Sequence, residues 1–124
     1  MSHISKIELE VRDFGILGQA CKRLGLELIR GKGRFTWYGK DAPCDHAIRV
    51  PGADYEIGVI NKDGLYELNC DFYDRTIERV IGRQGGLLRQ AYAVEKTKTE
   101  ARKKGYSVME RQTDTGIRLH VRIS

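Results

Sequence analysis

The chain has 124 residues and a formal net charge of +5, with 40% hydrophobic and 31% charged residues. A chain of this length can form a core without a metal ion or disulfide bonds, and its composition excludes a disordered or disulfide-dependent protein. No apolar run approaches the roughly 20 residues of a membrane span, and no secretory signal is visible. We therefore expect a single soluble, cytoplasmic domain over residues 1–124, without membrane contact.

The first predicted elements are a strand, a helix and two short strands. Apolar and charged residues alternate along 7–11, which is the period of a half-buried strand. Asp13 is a suitable N-cap for a helix that Gly25 ends. Short strands are expected near 26–29 and 35–38, with a glycine turn between them.

The middle of the chain predicts an antiparallel meander. Alternating apolar residues run through 44–50, 55–59 and 66–72. The sequence Asp63-Gly64 lies between the last two runs, and it tolerates the positive φ angles that a tight hairpin turn requires.

A second helix and a final hairpin follow. The helix is expected to begin at Asp74 and to extend to about Lys104, and Gly105 ends it. Three glycines within 82–86 weaken the first third of this helix, so a kink or short break is expected there. The residues 106–123 read as two strands joined by a turn.

These elements predict an α+β fold, an antiparallel sheet of about six to eight strands with two helices packed on one face. Segments 21–28 and 101–108 share one order of residue types, from a basic helix end through glycine into a strand. This repeated order is typical of any helix that is followed directly by a strand. Two strand-helix-strand-strand units around the meander are the alternative.

Positive charge is concentrated in the C-terminal part. Residues 1–74 hold ten Lys/Arg and twelve Asp/Glu, whereas residues 75–124 hold twelve and five, so the balances are −2 and +7. The candidate partner-binding residues lie on the second helix and the final hairpin: Arg89, Lys96, Arg102, Lys103, Arg111, Arg118, His120 and Arg122. We expect them to dock an acidic partner protein.

Two other interpretations of this basic surface stay open. The same residues suit a nucleic acid, although the aromatic side chains that would stack on bases are sparse nearby. A solvated charged face without a partner is the plainer interpretation.

Cysteine and histidine residues offer a weaker hypothesis, a metal- or thiol-dependent enzyme. Cys44 and His46 lie two apart on a predicted strand, and with Cys70 or His3 they would supply zinc ligands or a nucleophile and its base. Only one close pair exists, and buried free thiols are ordinary core residues. The glycine-rich segment 82–86 lacks the Gly-Lys-Ser/Thr ending of a phosphate loop. We therefore predict no cofactor, no metal site and no catalytic residue.

Several segments together carry a family resemblance. They are the opening 1–7, the segments 55–59, 63–68, 89–93 and 104–106, and the closing Gly116-Ile117-Arg118-Leu119-His120-Val121-Arg122. In this order they resemble the family called hypothetical chloroplast open reading frame 35, a domain of unknown function found in plastids, cyanobacteria, other bacteria and phages. The resemblance covers nearly the whole chain, and 30–44 matches poorly.

The resemblance implies an accessory protein with no established activity and no catalytic residues. Members encoded near a ferredoxin-like protein and a AAA-type ATPase suggest one of these as the partner. Ser2 and His3 look like a family signature. A plastid-encoded member would belong to the stroma.

Overall fold

A computed structural model describes residues 4–123, and this part of the chain holds nine strands and three α-helices. The strands are β1 Ser5–Val11, β2 Glu27–Ile29, β3 Arg34–Trp37, β4 Lys40–Pro43, β5 His46–Arg49, β6 Glu56–Lys62, β7 Leu65–Cys70, β8 Ser107–Thr113 and β9 Gly116–Arg122. The helices are α1 Phe14–Arg23, α2 Arg75–Ile81 and α3 Gly86–Lys103, with a 3₁₀ turn at Arg83–Gly85.

Five strands form an antiparallel sheet in the order β1-β7-β6-β5-β2. Its centre is the predicted meander, in which β5, β6 and β7 pair with their neighbours along the chain. Asp63 and Gly64 in the turn between β6 and β7 have φ angles of 57° and 88°. Positive φ at both positions is what a two-residue hairpin turn requires. The predicted α+β class is confirmed.

The helices cover one face of this sheet, and the main core lies between the two layers. Ile57 and Leu68 of the sheet join one buried cluster with Leu17 of α1, Ile77 of α2 and Leu88 of α3. Fully burying such a side chain contributes about 1.5–3 kcal/mol relative to leaving it exposed. This packing fixes the position of α3, to which the C-terminal hairpin is attached.

The two helices that lead directly into strands end in the same way. At the end of α1 the N–H of Leu26 donates to the carbonyl of Cys21, and at the end of α3 the N–H of Tyr106 donates to the carbonyl of Ala101. The intervening glycines have φ angles of 73° and 78°. This is the Schellman ending of a helix. A shared helix ending therefore explains why segments 21–28 and 101–108 have the same order of residue types.

The second predicted helix is broken at its glycines, into α2 and α3. Gly82, Gln84 and Gly85 all have positive φ angles, of 85°, 55° and 78°. A Cβ atom on Gly82 would lie 2.7 Å from the backbone nitrogen of Leu87, and one on Gly85 would lie 2.8 Å from a methyl carbon of Ile7. The glycines therefore let the chain turn sharply while the 3₁₀ turn stays close to β1.

The opposite face of the sheet is partly covered by the β3–β4 hairpin. Phe35 of β3 is fully buried there, and a Cβ on Gly58 of β6 would lie 2.4 Å from its ring. Next to this contact the carboxylate of Glu56 accepts a hydrogen bond from the backbone N–H of Thr36 at 3.0 Å and pairs with Lys32. Burial raises the pKa of Glu56, but these hydrogen bonds outweigh it, and the net pKa is below its ordinary value.

Candidate partner-binding hairpin

β8 and β9 form a separate two-stranded sheet that is attached to the rest of the molecule along α3. Gly105, with a φ angle of 78°, ends α3 and lets β8 run back along the helix. Thr113 pairs with Gly116 across the two-residue turn. A Cβ on Gly116 would lie 3.0 Å from the side-chain nitrogen of Gln90, so the turn lies beside the start of α3.

One face of the hairpin, the inner face, packs on α3. Directly opposite residues of an antiparallel pair project to the same face. The register therefore assigns six residues to this face: Val108, Glu110, Gln112, Ile117, Leu119 and Val121. Val94 and Ala101 of α3 are buried although they lie outside the main core cluster. Seven residues apart, they form one stripe of the helix, which we assign to the contact with the hairpin.

An ion-pair network, called the clamp below, ties the hairpin to α1 and α3. Arg23 at the end of α1 donates to Glu110 of β8 and, at 3.1 Å, to Glu95 of α3. Lys98 lies 3.4 Å from Glu110 and 3.6 Å from Glu95. All four side chains are only 12–30% exposed. The hydrogen bond from Arg23 holds the pKa of Glu110 below its ordinary value, and Glu110 in turn raises the pKa of Arg23.

The other face of the hairpin, the outer face, points away from α3 except at Gly116 beside the turn. It consists of Ser107, Met109, Arg111, Thr113, Gly116, Arg118, His120 and Arg122, with no Asp or Glu among them. Arg111 lies directly opposite Arg118, an arrangement of like charges that destabilises a strand pair. Within residues 4–123 none of the three arginines has an ion-pair partner. The cations of the outer face are thus uncompensated by this part of the chain.

Exposed apolar side chains lie at the open end of the hairpin. Met109 on the outer face is 61% exposed, Val121 on the inner face is 43% exposed, and Ile123 after β9 is 70% exposed. Met109 and Val121 border a shallow cleft of about 450 Å³, which His120 and Arg122 also line. The hairpin therefore offers guanidinium groups suited to carboxylates beside surface that favours apolar contact.

The predicted partner-binding cations of the helix lie on other parts of the surface. Arg89 lines a cleft beside β1 and α2, and its guanidinium donates to the carbonyl of Gln84 at 2.6 Å. Lys96 and Lys103, seven residues apart on α3, line a second cleft near the end of β1. Arg102 follows Glu95 by seven residues and Lys98 by four, so it lies on the side of α3 that carries the clamp. Of the predicted set, the four hairpin residues share one face, and the four helix residues do not join it.

Cys44, His46 and Cys70, which were considered for metal binding or thiol chemistry, are used in packing, and His3 lies outside the described residues. The ring of His46 contacts that of Phe14 with centroids 4.4 Å apart, and its Nδ1 accepts a hydrogen bond from the N–H of Gly31 at 2.9 Å. Burial raises the pKa of Cys70 to about 12 and also raises that of Cys44. Within the described part of the chain no three His, Cys, Asp or Glu residues are grouped to hold a metal ion.

The clamp was missed by the sequence analysis. Arg23 and Glu110 are 87 residues apart in the chain, so no local spacing connects them. One signal was present, since Glu110 is an acidic residue on the apolar side of a predicted strand. An inward carboxylate of this kind requires a cation from another element.

Comparisons of the chain with protein-family models, with curated proteins and with solved structures found no match. The resemblance to the hypothetical chloroplast open reading frame 35 family therefore stays a prediction. Ser2 and His3, its possible signature, lie outside the described residues. Among residues 4–123 no helix combines the length and apolar character needed to cross a membrane.

Proposed function

We propose that this protein is a non-enzymatic binding or accessory module that docks an acidic segment of a partner protein on the outer face of the β8–β9 hairpin. The observation that carries the proposal is the separation of charge across the hairpin. The one carboxylate on its strands, Glu110, faces inward and is neutralised by the clamp. The outer face carries three arginines and no carboxylate.

The arrangement of the arginines suits an extended acidic segment. A guanidinium binds a carboxylate through two parallel hydrogen bonds, which makes arginine a good reader of Asp and Glu. Arg118 and Arg122 lie four residues apart on β9, a separation of about 14 Å along a strand. A partner with carboxylates at alternate positions of an extended chain would meet both of them.

Nucleic acid is the alternative ligand of the same surface. Proteins that bind single strands combine cations with aromatic side chains on which bases stack. The outer face has no Phe, Tyr or Trp and instead exposes Met109. Methionine and arginine are both enriched at protein–protein interfaces. The composition of this face therefore favours a protein partner.

The family resemblance, as a prediction, supplies two partners to test first, a AAA-type ATPase and a ferredoxin-like protein, because members of that family are encoded near such proteins. Each would be purified and titrated against the full chain. An acidic surface on the one that binds is the property that this proposal requires.

The test reverses the charge of the outer face and compares it with an equal reversal elsewhere. The double variant R118E/R122E changes the outer face, and R75E/R79E makes the same change on α2, away from the hairpin. We expect binding of the purified acidic partner to be lost in the first variant and kept in the second. Unchanged binding in both variants would show that the outer face is only solvated surface.

The nucleic-acid alternative predicts a different result with the same variants. Labelled oligonucleotides would be retained at about 50 mM salt, released steeply toward about 200 mM salt, and bound more weakly by R118E/R122E than by R75E/R79E. That outcome, without binding of an acidic protein, would replace the proposed function.

A further inference from the structure

We infer that the acidic segment binds as an extended strand that adds to the free edge of β9 and converts the hairpin into a three-stranded sheet. The inference rests on the proposed function, because it uses the same arginines. It adds the main chain of β9 as a second part of the recognition surface. It also specifies the ligand, a segment in which acidic residues alternate with apolar ones.

β9 is the strand of the hairpin that faces away from the rest of the molecule. Glu110 of β8 bonds to Arg23 of α1, so β8 lies on the α1 side of α3. β9 therefore lies on the far side, and in the described part of the chain no strand pairs with its outer edge. An unpaired edge of this kind is a template for another extended segment, and several peptide-binding domains use it.

The register determines which main-chain groups of β9 are free. Because a two-residue turn connects them, Thr113 and Gly116 form a hydrogen-bonded pair, and such pairs alternate along an antiparallel ladder. The N–H and C=O groups of Arg118 therefore bond to β8. Those of Leu119 and Val121 point to the free edge, where an added strand would bond to them.

The side chains next to this edge specify the sequence of the added strand. In an antiparallel arrangement, residues opposite Arg118 and Arg122 project to the outer face, where carboxylates form favourable cross-strand pairs. Residues opposite Leu119 and Val121 project to the inner face. There they would cover Val121, which is 43% exposed, and the adjoining flank of α3. The fitting ligand is therefore acidic at every second position and apolar between.

A second copy of this chain fits the edge less well. Antiparallel pairing of two β9 strands would place two outer faces side by side, each with three arginines and no carboxylate. Like charges on one face of a sheet are destabilising. Charge complementarity therefore selects an acidic segment of a different protein.

The experiment uses the full chain and a labelled peptide, Thr-Glu-Val-Glu-Val-Glu-Val-Glu-Thr, titrated by fluorescence anisotropy at low salt. Two N-methylated forms of the peptide separate strand addition from charge attraction. Methyl groups on two valine amides remove donors that would bond to β9, whereas methyl groups on two glutamate amides remove donors that point away. We expect the first form to bind about tenfold more weakly and the second to bind like the unmodified peptide.

Each other outcome overturns a defined part of the inference. Equal binding of both methylated forms would overturn strand addition, and weaker binding of the unmodified peptide to R118E/R122E would then still support the proposed function. A peptide of the same composition without the alternation would also overturn strand addition if it bound as tightly as the alternating peptide. Peptide binding that is the same for R118E/R122E as for the unchanged chain would overturn the proposed function as well. Self-association that competes with the peptide would identify a second copy as the occupant.

Discussion

Replacing Glu110 with glutamine keeps the shape of the side chain and removes the charge that Arg23 and Lys98 share. The substitution tests whether the clamp holds the hairpin on α3. Glutamine still accepts a hydrogen bond through its amide oxygen, so the expected loss is the charge-dependent part of the interaction. The outer face is untouched.

The magnitude follows from the exposure of the clamp. Exposed ion pairs contribute about 0.2–1 kcal/mol, and hydrogen bonds to charged groups contribute about 1.5–3 kcal/mol. The clamp side chains are 12–30% exposed, between these two situations, and Glu95 remains beside both cations. We expect Glu110→Gln to lower the free energy of unfolding by about 1–2 kcal/mol, and Tm by about 3–8 °C.

The assay is thermal unfolding at neutral pH, followed by circular dichroism. Glu100→Gln is the matched control, since Glu100 is an exposed residue of α3 with no ion pair among residues 4–123. The control should melt close to the unchanged protein. If Glu110→Gln melts with the control, the clamp does not hold the hairpin.

The difference in stability between the unchanged protein and the Glu110→Gln variant should also depend on pH. Because Arg23 lowers the pKa of Glu110 below the ordinary 4.5, the unfolded chain takes up this proton first as the pH falls. The stabilisation that the Glu110 carboxylate contributes is therefore fully present above about pH 4.5. It is lost as the pH falls through the lower pKa of Glu110 in the folded protein. Urea unfolding at a series of pH values should show that the stability difference between the unchanged protein and the Glu110→Gln variant shrinks in acid. A difference that stays constant would refute the electrostatic explanation.

Two further predictions concern the two faces of the sheet. Gly58→Ala should lower the free energy of unfolding by about 1–3 kcal/mol, because the new Cβ would lie 2.4 Å from the ring of Phe35. In urea unfolding, adding Phe35→Leu to the Gly58→Ala variant should recover part of that loss. Strictly additive effects of the two substitutions would contradict a direct contact. Cys21 and Cys70, whose pKa burial raises to about 12, should react with iodoacetamide far more slowly than the partly exposed Cys44, and equal rates by intact-mass measurement would contradict their burial.

Local patterns were sufficient to predict most of the elements. Alternating apolar residues indicated the strands of the meander, and Asp63-Gly64 indicated the turn between two of them. Asp13 was predicted as the N-cap of α1, and its carboxylate accepts a hydrogen bond from the N–H of Ile16 at 3.1 Å. Each of these features is set by residues close together in the chain, which is why sequence alone reveals them.

The β3–β4 hairpin could not be predicted in the same way. β4 consists of Lys40–Pro43, a segment without alternation of apolar residues. Its partner β3 is held to the sheet by Phe35, which occupies the space left by Gly58. The pairing thus depends on a contact between distant residues, and the local sequence gives no sign of it.

The candidate site was predictable in part. Alternation along β9 shows that Arg118, His120 and Arg122 share a face, and the register of the hairpin adds Arg111. Whether the cations of α3 join that face depends on which side of the helix the hairpin covers. That side depends on contacts between distant residues, among them the pair of Arg23 and Glu110, so helical spacing alone could not decide it.

The clamp, together with the apolar residues of the inner face, keeps the outer face of the hairpin exposed. Glu110 and Arg111 are neighbours on β8, so one projects inward whenever the other projects outward. A shift of one residue in the pairing of β8 with β9 would bring Glu110 to the outer face and turn Arg111 toward α3. By fixing Glu110 against Arg23, the clamp keeps a carboxylate away from the arginines that would bind the partner. Substitutions in the clamp should therefore weaken docking through the orientation of the hairpin, although they leave the charge of the outer face unchanged.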